Sequence, residues 1–152
     1  MGQTADKKGT ISVMAVLTQA YKQGLFCSWP LSNERYDLII DNGKKMFRVQ
    51  VKGTSIQDKR RWKISTTTYD NTNFTVYAQK YIKNKNRRRT KAYSENEIDF
   101  IIAHIIPLNI FYIVPVKELN GAKGFNVVPN NPKTKNRYEK FSFRKIKYGS
   151  LR

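Results

Sequence analysis

The 152-residue sequence predicts one mixed α/β domain spanning residues 1–152. Three features predict this class: an amphipathic segment at the start, an Asn42-Gly43 hairpin signal, and two apolar runs that end near Pro107 and Pro115. A chain of this length is typical of a single domain. Hydrophobic residues make up 39% of the chain, which suits one modest core, and no apolar run approaches the roughly 20 residues of a membrane span.

The first predicted element is a helix from about Ala5 to Gln23, followed by Gly24 at its C-terminal end. Gly9 is unfavourable inside a helix, so a start nearer Thr10 is the alternative. Apolar residues recur at spacings of three and four, which predicts that one stripe faces the core. That stripe comprises Ile11, Met14, Leu17, Thr18 and Tyr21.

Strands follow the helix, because short β-branched and aromatic runs alternate with turn residues. The predicted strands are Leu25–Trp29, Arg35–Asp41, Lys45–Lys52, Arg61–Thr66, Ile98–Ile105 and Asn109–Pro115. Gly53 is expected to end the third strand. A short helix is predicted near Tyr69–Ala78 and a helical turn at Val116–Leu119.

The charge balance indicates a polyanionic partner. Lys and Arg total 29 against 11 Asp and Glu, which gives a formal net charge of +18. This balance is untypical of an enzyme of small metabolites and favours nucleic acid. With one cysteine, Cys27, and one histidine, His104, the sequence excludes a disulfide framework and a two-histidine metal site. The first residues lack an apolar signal core, so a cytoplasmic protein that is not secreted is expected.

The hairpin places chemically useful side chains on one face. A two-residue Asn42-Gly43 loop would put Asp37 opposite Arg48 and make Asp37 a diagonal neighbour of Gln50, about 7–8 Å away. Because side chains alternate, Asp37, Gln50 and Lys52 share one face of the sheet. The other face is apolar and should meet the core; it carries Tyr36, Leu38, Ile40, Phe47, Val49 and Val51.

These residue types suit phosphodiester hydrolysis. Hard cations such as Mg²⁺ or Mn²⁺ prefer oxygen ligands, which Asp37, Gln50 and the Val51 carbonyl would supply. Such an ion polarises the phosphate and lowers the pKa of its bound water. Lys52 would orient or deprotonate that water, or neutralise charge in the transition state.

An Asp on one strand followed by Asp/Glu-x-Lys on the next resembles the PD-(D/E)xK nucleases. Here Tyr36-Asp37 is followed by Gln50-Val51-Lys52, a Gln-x-Lys variant similar to the PD-(D/E)xK homing endonucleases encoded in group I introns. The resemblance implies a restriction-endonuclease-like core, a mixed central sheet flanked by helices, with basic DNA-binding insertions. It also implies a Mg²⁺-dependent, site-specific double-stranded DNA endonuclease acting as a homo-oligomer, a dimer or tetramer, with Asp37, Gln50 and Lys52 as the catalytic set.

The sequence departs from this family pattern in its first helix. The family carries a glutamate there that points at the metal, whereas no acid follows Asp6 in this helix and Thr10 or Ser12 falls where it is expected. This departure leaves open a second class of function, a nucleic-acid-binding protein with a degenerate, non-cleaving nuclease core. A third reading is a restriction or junction-resolving nuclease with the same core.

Basic segments predict where DNA lies. An insertion over residues 54–92 and a C-terminal segment over 129–152 are rich in cations, which would follow phosphates. The predicted DNA-binding residues are Lys59, Arg60, Arg61, Lys63, Lys83, Lys85, Arg87, Arg88, Arg89 and Lys91. Three other polar residues are interpreted as structural: Asp41 in the turn, Asp99 either capping or paired with a basic residue, and His104 satisfied inside the core.

Overall fold

The computed structural model describes residues 5–32, 34–69, 90–129 and 143. Residues 70–78 of the predicted helix and most of the basic C-terminal segment therefore fall outside the described residues, while Tyr69 ends a strand. The first helix, α1, is Ala5–Lys22, and a four-residue helix, α2, is Val116–Leu119. The strands are β1 (Phe26–Ser28), β2 (Leu38–Asp41), β3 (Met46–Thr54), β4 (Gln57–Asp58), β5 (Arg61–Ser65), β6 (Thr67–Tyr69), β7 (Thr90–Ala92), β8 (Phe100–Ile105), β9 (Ile110–Pro115) and β10 (Gly124–Val127).

A five-stranded mixed sheet in the order β1-β2-β3-β8-β9 forms the centre of the fold. Only β3 and β8 pair in parallel, while the other neighbours are antiparallel. One face packs on α1 through residues such as Val16, Leu38 and Val49. The opposite face packs on a second sheet, β10-β5-β4, through residues such as Ile64 and Ile101. This confirms the predicted mixed α/β class.

The buried face of α1 differs from the predicted stripe. Ile11, Met14 and Tyr21 are 38%, 51% and 58% exposed, and of the predicted stripe only Leu17 is buried. The residues that face the sheet are instead mostly small: Ser12, Val16, Leu17 and Ala20. Small side chains allow the helix to lie close to β3, where a Cβ added at Gly53 would come within 2.1 Å of Ser12 Oγ. The helix begins at Ala5, so the alternative start at Thr10 was wrong.

The β2–β3 turn is displaced by one residue from the predicted one. Gly43 has a φ of +81°, and it is the only residue of the 42–45 turn with a positive φ. An Asn42-Gly43 loop of the common type would need positive φ at both residues, whereas a Gly-first loop needs it only at Gly43. The loop is therefore Gly43-Lys44, closed by the Asn42 N–H donating to the Lys45 carbonyl at 3.2 Å.

The observed Gly43-Lys44 turn shifts the pairing of β2 with β3 by two residues from the predicted register. Asp41 pairs with Met46 and Ile39 with Arg48, so the predicted Asp37–Arg48 pairing was wrong. A shift of two preserves which side chains share a face. The apolar face is accordingly buried as predicted, apart from Tyr36, which precedes β2 and packs against the opposite core. Gly53 does not end β3, which continues to Thr54 beside β8.

Candidate active site

Asp37 and Gln50 are joined directly across the β2–β3 ladder. The Asp37 N–H donates to the Val49 carbonyl at 2.9 Å, which extends the ladder one residue beyond β2. Asp37 Oδ2 accepts from Gln50 Nε2 at 2.7 Å and from the Val51 N–H at 2.8 Å. The two residues are therefore in contact rather than diagonal neighbours, as a consequence of the shifted register.

The environment of Asp37 disfavours its charge. Burial raises the pKa of the Asp37 carboxyl, while the Val51 N–H, the charge of Lys52 and the Gln50 amide act in the opposite direction. Because desolvation is the largest of these effects, the ionised carboxylate costs free energy in the folded chain. A cation beside it would offset that cost.

Lys52 lies two residues beyond Gln50 on the same strand and therefore on the same face. Its Nζ donates to the Thr67 carbonyl at 3.1 Å and lies 5.3 Å from the centroid of the Tyr93 ring. Burial lowers the pKa of the Lys52 ammonium, the charge of Asp37 raises it, and the charge of Arg35 lowers it. The acid and the amine thus share one face and interact electrostatically, as the sequence predicts.

A cavity of about 420 Å³ opens beside the acid. It lies between the hairpin and the first half of α1, with the half-exposed Trp29 on its wall. The lining residues are Gly9, Thr10, Val13, Met14, Trp29, Asp37, Gln50 and Val51. Of the two positions considered for the missing helix acid, Thr10 lines this cavity. Ser12 is buried elsewhere, where its Oγ contacts His104 Nδ1 at 3.1 Å.

The donor set around the cavity consists of oxygens. Asp37 supplies a carboxylate, whose Oδ2 accepts the hydrogen bonds from Gln50 and Val51; among the described residues no hydrogen bond to Oδ1 competes with a cation. The side-chain Nε2 of Gln50 faces Asp37, so the side-chain carbonyl oxygen of Gln50 points away from that carboxylate. Such a set fits a hard cation that keeps several waters or phosphate oxygens. Within the described part of the chain, no three His, Cys, Asp or Glu side chains form a metal-binding group.

Comparison with known proteins identifies the family. The model of the PD-(D/E)XK endonuclease family matches residues 3–144. The chain belongs to this family. The chain therefore carries the nuclease fold. Among curated proteins no match is found.

A solved structure of a homing endonuclease shares this fold. The bacterial homing endonuclease I-Ssp6803I is similar over 97% of this chain and 95% of its own, with a TM-score of 0.74 and 21% identity. At that identity the likeness establishes the fold alone. A Holliday junction resolvase, Hjc from Archaeoglobus fulgidus, is 16% identical over 80% of this chain and 84% of its own, with a TM-score of 0.45, which is too low to support an inference.

The predicted DNA-binding residues of the nuclease are described only in part. Lys59, Arg60, Arg61 and Lys63 are exposed on β5 and on the turn before it. Lys91 is exposed on β7 and pairs with Glu97 at 3.1 Å. The remaining predicted contacts fall outside the described residues: Lys83, Lys85, Arg87, Arg88 and Arg89.

In the described ranges no helix is long and apolar enough to cross a membrane.

The structural interpretations of three polar residues are confirmed. The Gly43 N–H donates to Asp41 Oδ1 in the turn, and Arg48 Nε pairs with Asp99 Oδ2 at 3.3 Å. His104 is 2% exposed and hydrogen-bonded on both ring nitrogens.

Sequence reasoning missed the neighbours of Lys52. Arg35 pairs with Glu97 across 62 residues of chain, at 2.9 Å between Arg35 Nη2 and Glu97 Oε1. No role was assigned to Tyr93 from the sequence. No local spacing signals such long-range contacts, because they arise from strand pairing.

Proposed function

We propose that the chain is a metal-dependent, site-specific double-stranded DNA endonuclease of the intron-homing type. The observation that carries the proposal is the convergence of Asp37, Gln50 and Lys52 on one sheet face, two of them joined at 2.7 Å. The chain around them has a net charge of +18, and a strongly basic protein attracts a polyanion. Membership of an endonuclease family supports hydrolysis as the reaction.

Each residue of the set has a distinct role. Asp37, Gln50 and the Val51 carbonyl would hold Mg²⁺ or Mn²⁺, which when bound neutralises phosphate charge and makes its water more acidic. Gln50 keeps the Asp37 carboxylate aimed at the cavity through the 2.7 Å hydrogen bond. Lys52 provides an amine that orients the attacking water or neutralises the charge that develops on the phosphate.

Exposed cations on the second sheet would bind the substrate. Arg61 and Lys63 alternate with the buried Trp62 and Ile64 along β5, so their side chains face away from the core. This strand and its turn belong to the basic insertion at 54–92, which we propose contacts the DNA. Arginine reads guanine in the major groove, and lysine contacts phosphates. Cutting both strands of a duplex requires two active sites, so we also propose that the chain is a homo-oligomer.

The direct test is a plasmid cleavage assay. The plasmid carries the two DNA sequences that flank the coding region, joined directly to each other with the coding region left out. We expect linear product with Mg²⁺ or Mn²⁺ and none with a chelator. Asp37→Asn and Lys52→Met should abolish cutting, whereas Glu118→Gln on the exposed face of α2 should not. Undiminished cutting by both site variants would contradict the assigned roles.

One observation favours a second candidate, a nucleic-acid-binding protein with a degenerate core. Thr10, rather than an acid, lines the cavity together with Asp37, so among the described lining residues Asp37 alone would balance the metal's charge. Salt-dependent duplex binding without cleavage in either metal would support this candidate. Preference for a branched junction over a linear duplex would instead indicate a junction-resolving nuclease.

A further inference from the structure

The Lys52 ammonium is restrained by two groups outside its own strand. Its Nζ donates to the Thr67 carbonyl at 3.1 Å and lies 5.3 Å from the Tyr93 ring centroid. Lysine has a flexible four-carbon stem, so an ammonium in open solvent samples many positions. A carbonyl and an aromatic ring together restrict this ammonium to one region of the site.

The Tyr93 ring is itself held in place. Its side chain is buried, with the residue only 7% exposed. The Tyr93 N–H donates to the Thr66 carbonyl at 3.3 Å, and its hydroxyl shares a hydrogen bond with the Thr68 side chain. The ring is therefore fixed to the same segment, 66–68, that supplies the Thr67 carbonyl to Lys52.

A second cation reaches the same ring from another element. The Arg35 guanidinium carbon lies 5.4 Å from the Tyr93 centroid, and its nitrogens pair with Glu97 Oε1 at 2.9 and 3.1 Å. Glu97 Oε2 accepts from the Ser94 N–H at 3.0 Å, directly after Tyr93. This chain of contacts ties the ring to the segment that leads into Asp37.

We propose that Tyr93 is a positioning residue for Lys52, and that Arg35 and Glu97 hold its ring in place for that role. The proposal rests on the proposed function, in which Lys52 serves the hydrolysis. The face of an aromatic ring attracts a cation electrostatically within about 6 Å of its centroid. Pre-orientation of a catalytic group removes conformational freedom that would otherwise be lost in the transition state.

The kinetic test compares two substitutions of Tyr93. Tyr93→Phe keeps the aromatic face and loses the hydroxyl, so kcat should stay within about threefold of wild type. Tyr93→Met fills the space without an aromatic face, so kcat should fall about 10- to 100-fold while KM for the DNA changes little. Tyr21→Met, on the exposed part of α1, is the matched control and should cut normally. Wild-type kcat in Tyr93→Met would overturn the proposal.

A second measurement does not depend on cleavage. In the wild-type chain, ring current from Tyr93 should move the ε-methylene proton resonance of Lys52 upfield from that of the other lysines. The resonance is assigned by its absence in Lys52→Met. The upfield shift should persist in Tyr93→Phe and vanish in Tyr93→Met. An ordinary Lys52 resonance in wild type would overturn the positioning role, even if Tyr93→Met fails to fold.

The two proposals fail in different ways. A wild-type chain that cuts no DNA in Mg²⁺ or Mn²⁺ overturns the nuclease function, while the Lys52 resonance still decides whether Tyr93 holds the ammonium. A chain that cuts, with equal kcat in wild type and Tyr93→Met, overturns the positioning role alone.

Discussion

Gln50 donates its side-chain N–H to the Asp37 carboxylate at 2.7 Å across neighbouring strands. The bond forms because the Asp37 N–H donates to the Val49 carbonyl, which holds Asp37 beside β3 and next to Gln50. It uses the amide nitrogen and so directs the amide oxygen away from the acid. The hydrogen bond therefore ties the Asp37 carboxylate to β3 through the amide nitrogen.

The first prediction concerns Asp37→Asn. Burial raises the pKa of the Asp37 carboxyl, so the folded chain binds the proton more tightly than the unfolded chain. The stabilisation from that proton is present at low pH and is lost as pH rises through the folded-state pKa. At neutral pH the ionised Asp37 thus lowers the free energy of unfolding.

Asp37→Asn should raise the free energy of unfolding at neutral pH by on the order of 1 kcal/mol, or about 3 °C in Tm. The same change should lower cleavage at least about 100-fold. Thermal melts and plasmid cleavage measure the two effects. Glu118→Gln, at an exposed position of α2, is the control and should alter neither. A destabilised Asp37→Asn would show that its charge is stabilising.

The second prediction is a gain of metal affinity in Thr10→Glu. Thr10 lines the cavity across from Asp37 and Gln50, so a carboxylate there would add a charged oxygen ligand. Half-maximal cleavage should then need about tenfold less Mg²⁺, and Mg²⁺ should raise the Tm more than in wild type. Thr18→Glu, two turns further along the same helix and exposed, should show no such gain. Equal Mg²⁺ dependence in both variants would place the ion elsewhere.

The candidate site was largely predictable because a strand alternates its side chains with a period of two. That periodicity put Asp37, Gln50 and Lys52 on one face even with the wrong turn, since the register error was also two residues. The exact pairing was not predictable, because it depends on which residue of Asn42-Gly43-Lys44 adopts a positive φ. Local hydrogen bonds in the folded turn determine which residue adopts the positive φ, and the sequence alone does not show them.

The helix face and the distant contacts were less predictable. Hydrophobicity favoured Ile11, Met14 and Tyr21, but close packing on Gly53 selects small residues such as Ser12. Size at the interface therefore decides the orientation of α1. Strand β10 has a weak local pattern and forms by pairing with β5, so only the assembled fold defines it.

The third prediction concerns DNA contacts on β5. Arg61 and Lys63 are exposed on that strand, and each phosphate contact contributes to the salt dependence of binding. Arg61→Ala or Lys63→Ala should weaken duplex binding and reduce the slope of log K against log salt by about 0.9. Lys22→Ala, at the end of α1 on the other side of the central sheet, should leave the slope unchanged. If the slope of log K against log salt is the same in wild type and in all variants, β5 is not part of the DNA interface.

The fourth prediction concerns the close approach of α1 to β3. A Cβ at Gly53 would lie 2.1 Å from Ser12 Oγ and 3.1 Å from Ser12 Cβ. Gly53→Ala should therefore lower the free energy of unfolding by about 1–3 kcal/mol. Urea unfolding measures the loss, and Gly9→Ala, whose added Cβ meets nothing within 4 Å, is the control. Combining Gly53→Ala with Ser12→Gly should cost less than the sum of the two single changes, whereas strict additivity would contradict the contact.

The last prediction is a loss of stability at mildly acidic pH that depends on His104. His104 Nε2 lies 3.2 Å from Asn109 Oδ1 and Nδ1 lies 3.1 Å from the Ser12 hydroxyl oxygen, and a neutral ring with its proton on Nε2 satisfies both contacts. Burial lowers the pKa of His104 from its usual 6.5, against the opposite effect of Asn109. The unfolded chain therefore takes up a proton first as pH falls, and the free energy of unfolding decreases below about pH 6.5. His104 is the only histidine of the chain. The Tm of wild type should therefore fall between about pH 7.5 and about pH 5.5, and His104→Gln should remove the part of that fall that comes from histidine protonation. An unchanged pH dependence in His104→Gln would assign the effect to a carboxyl group instead.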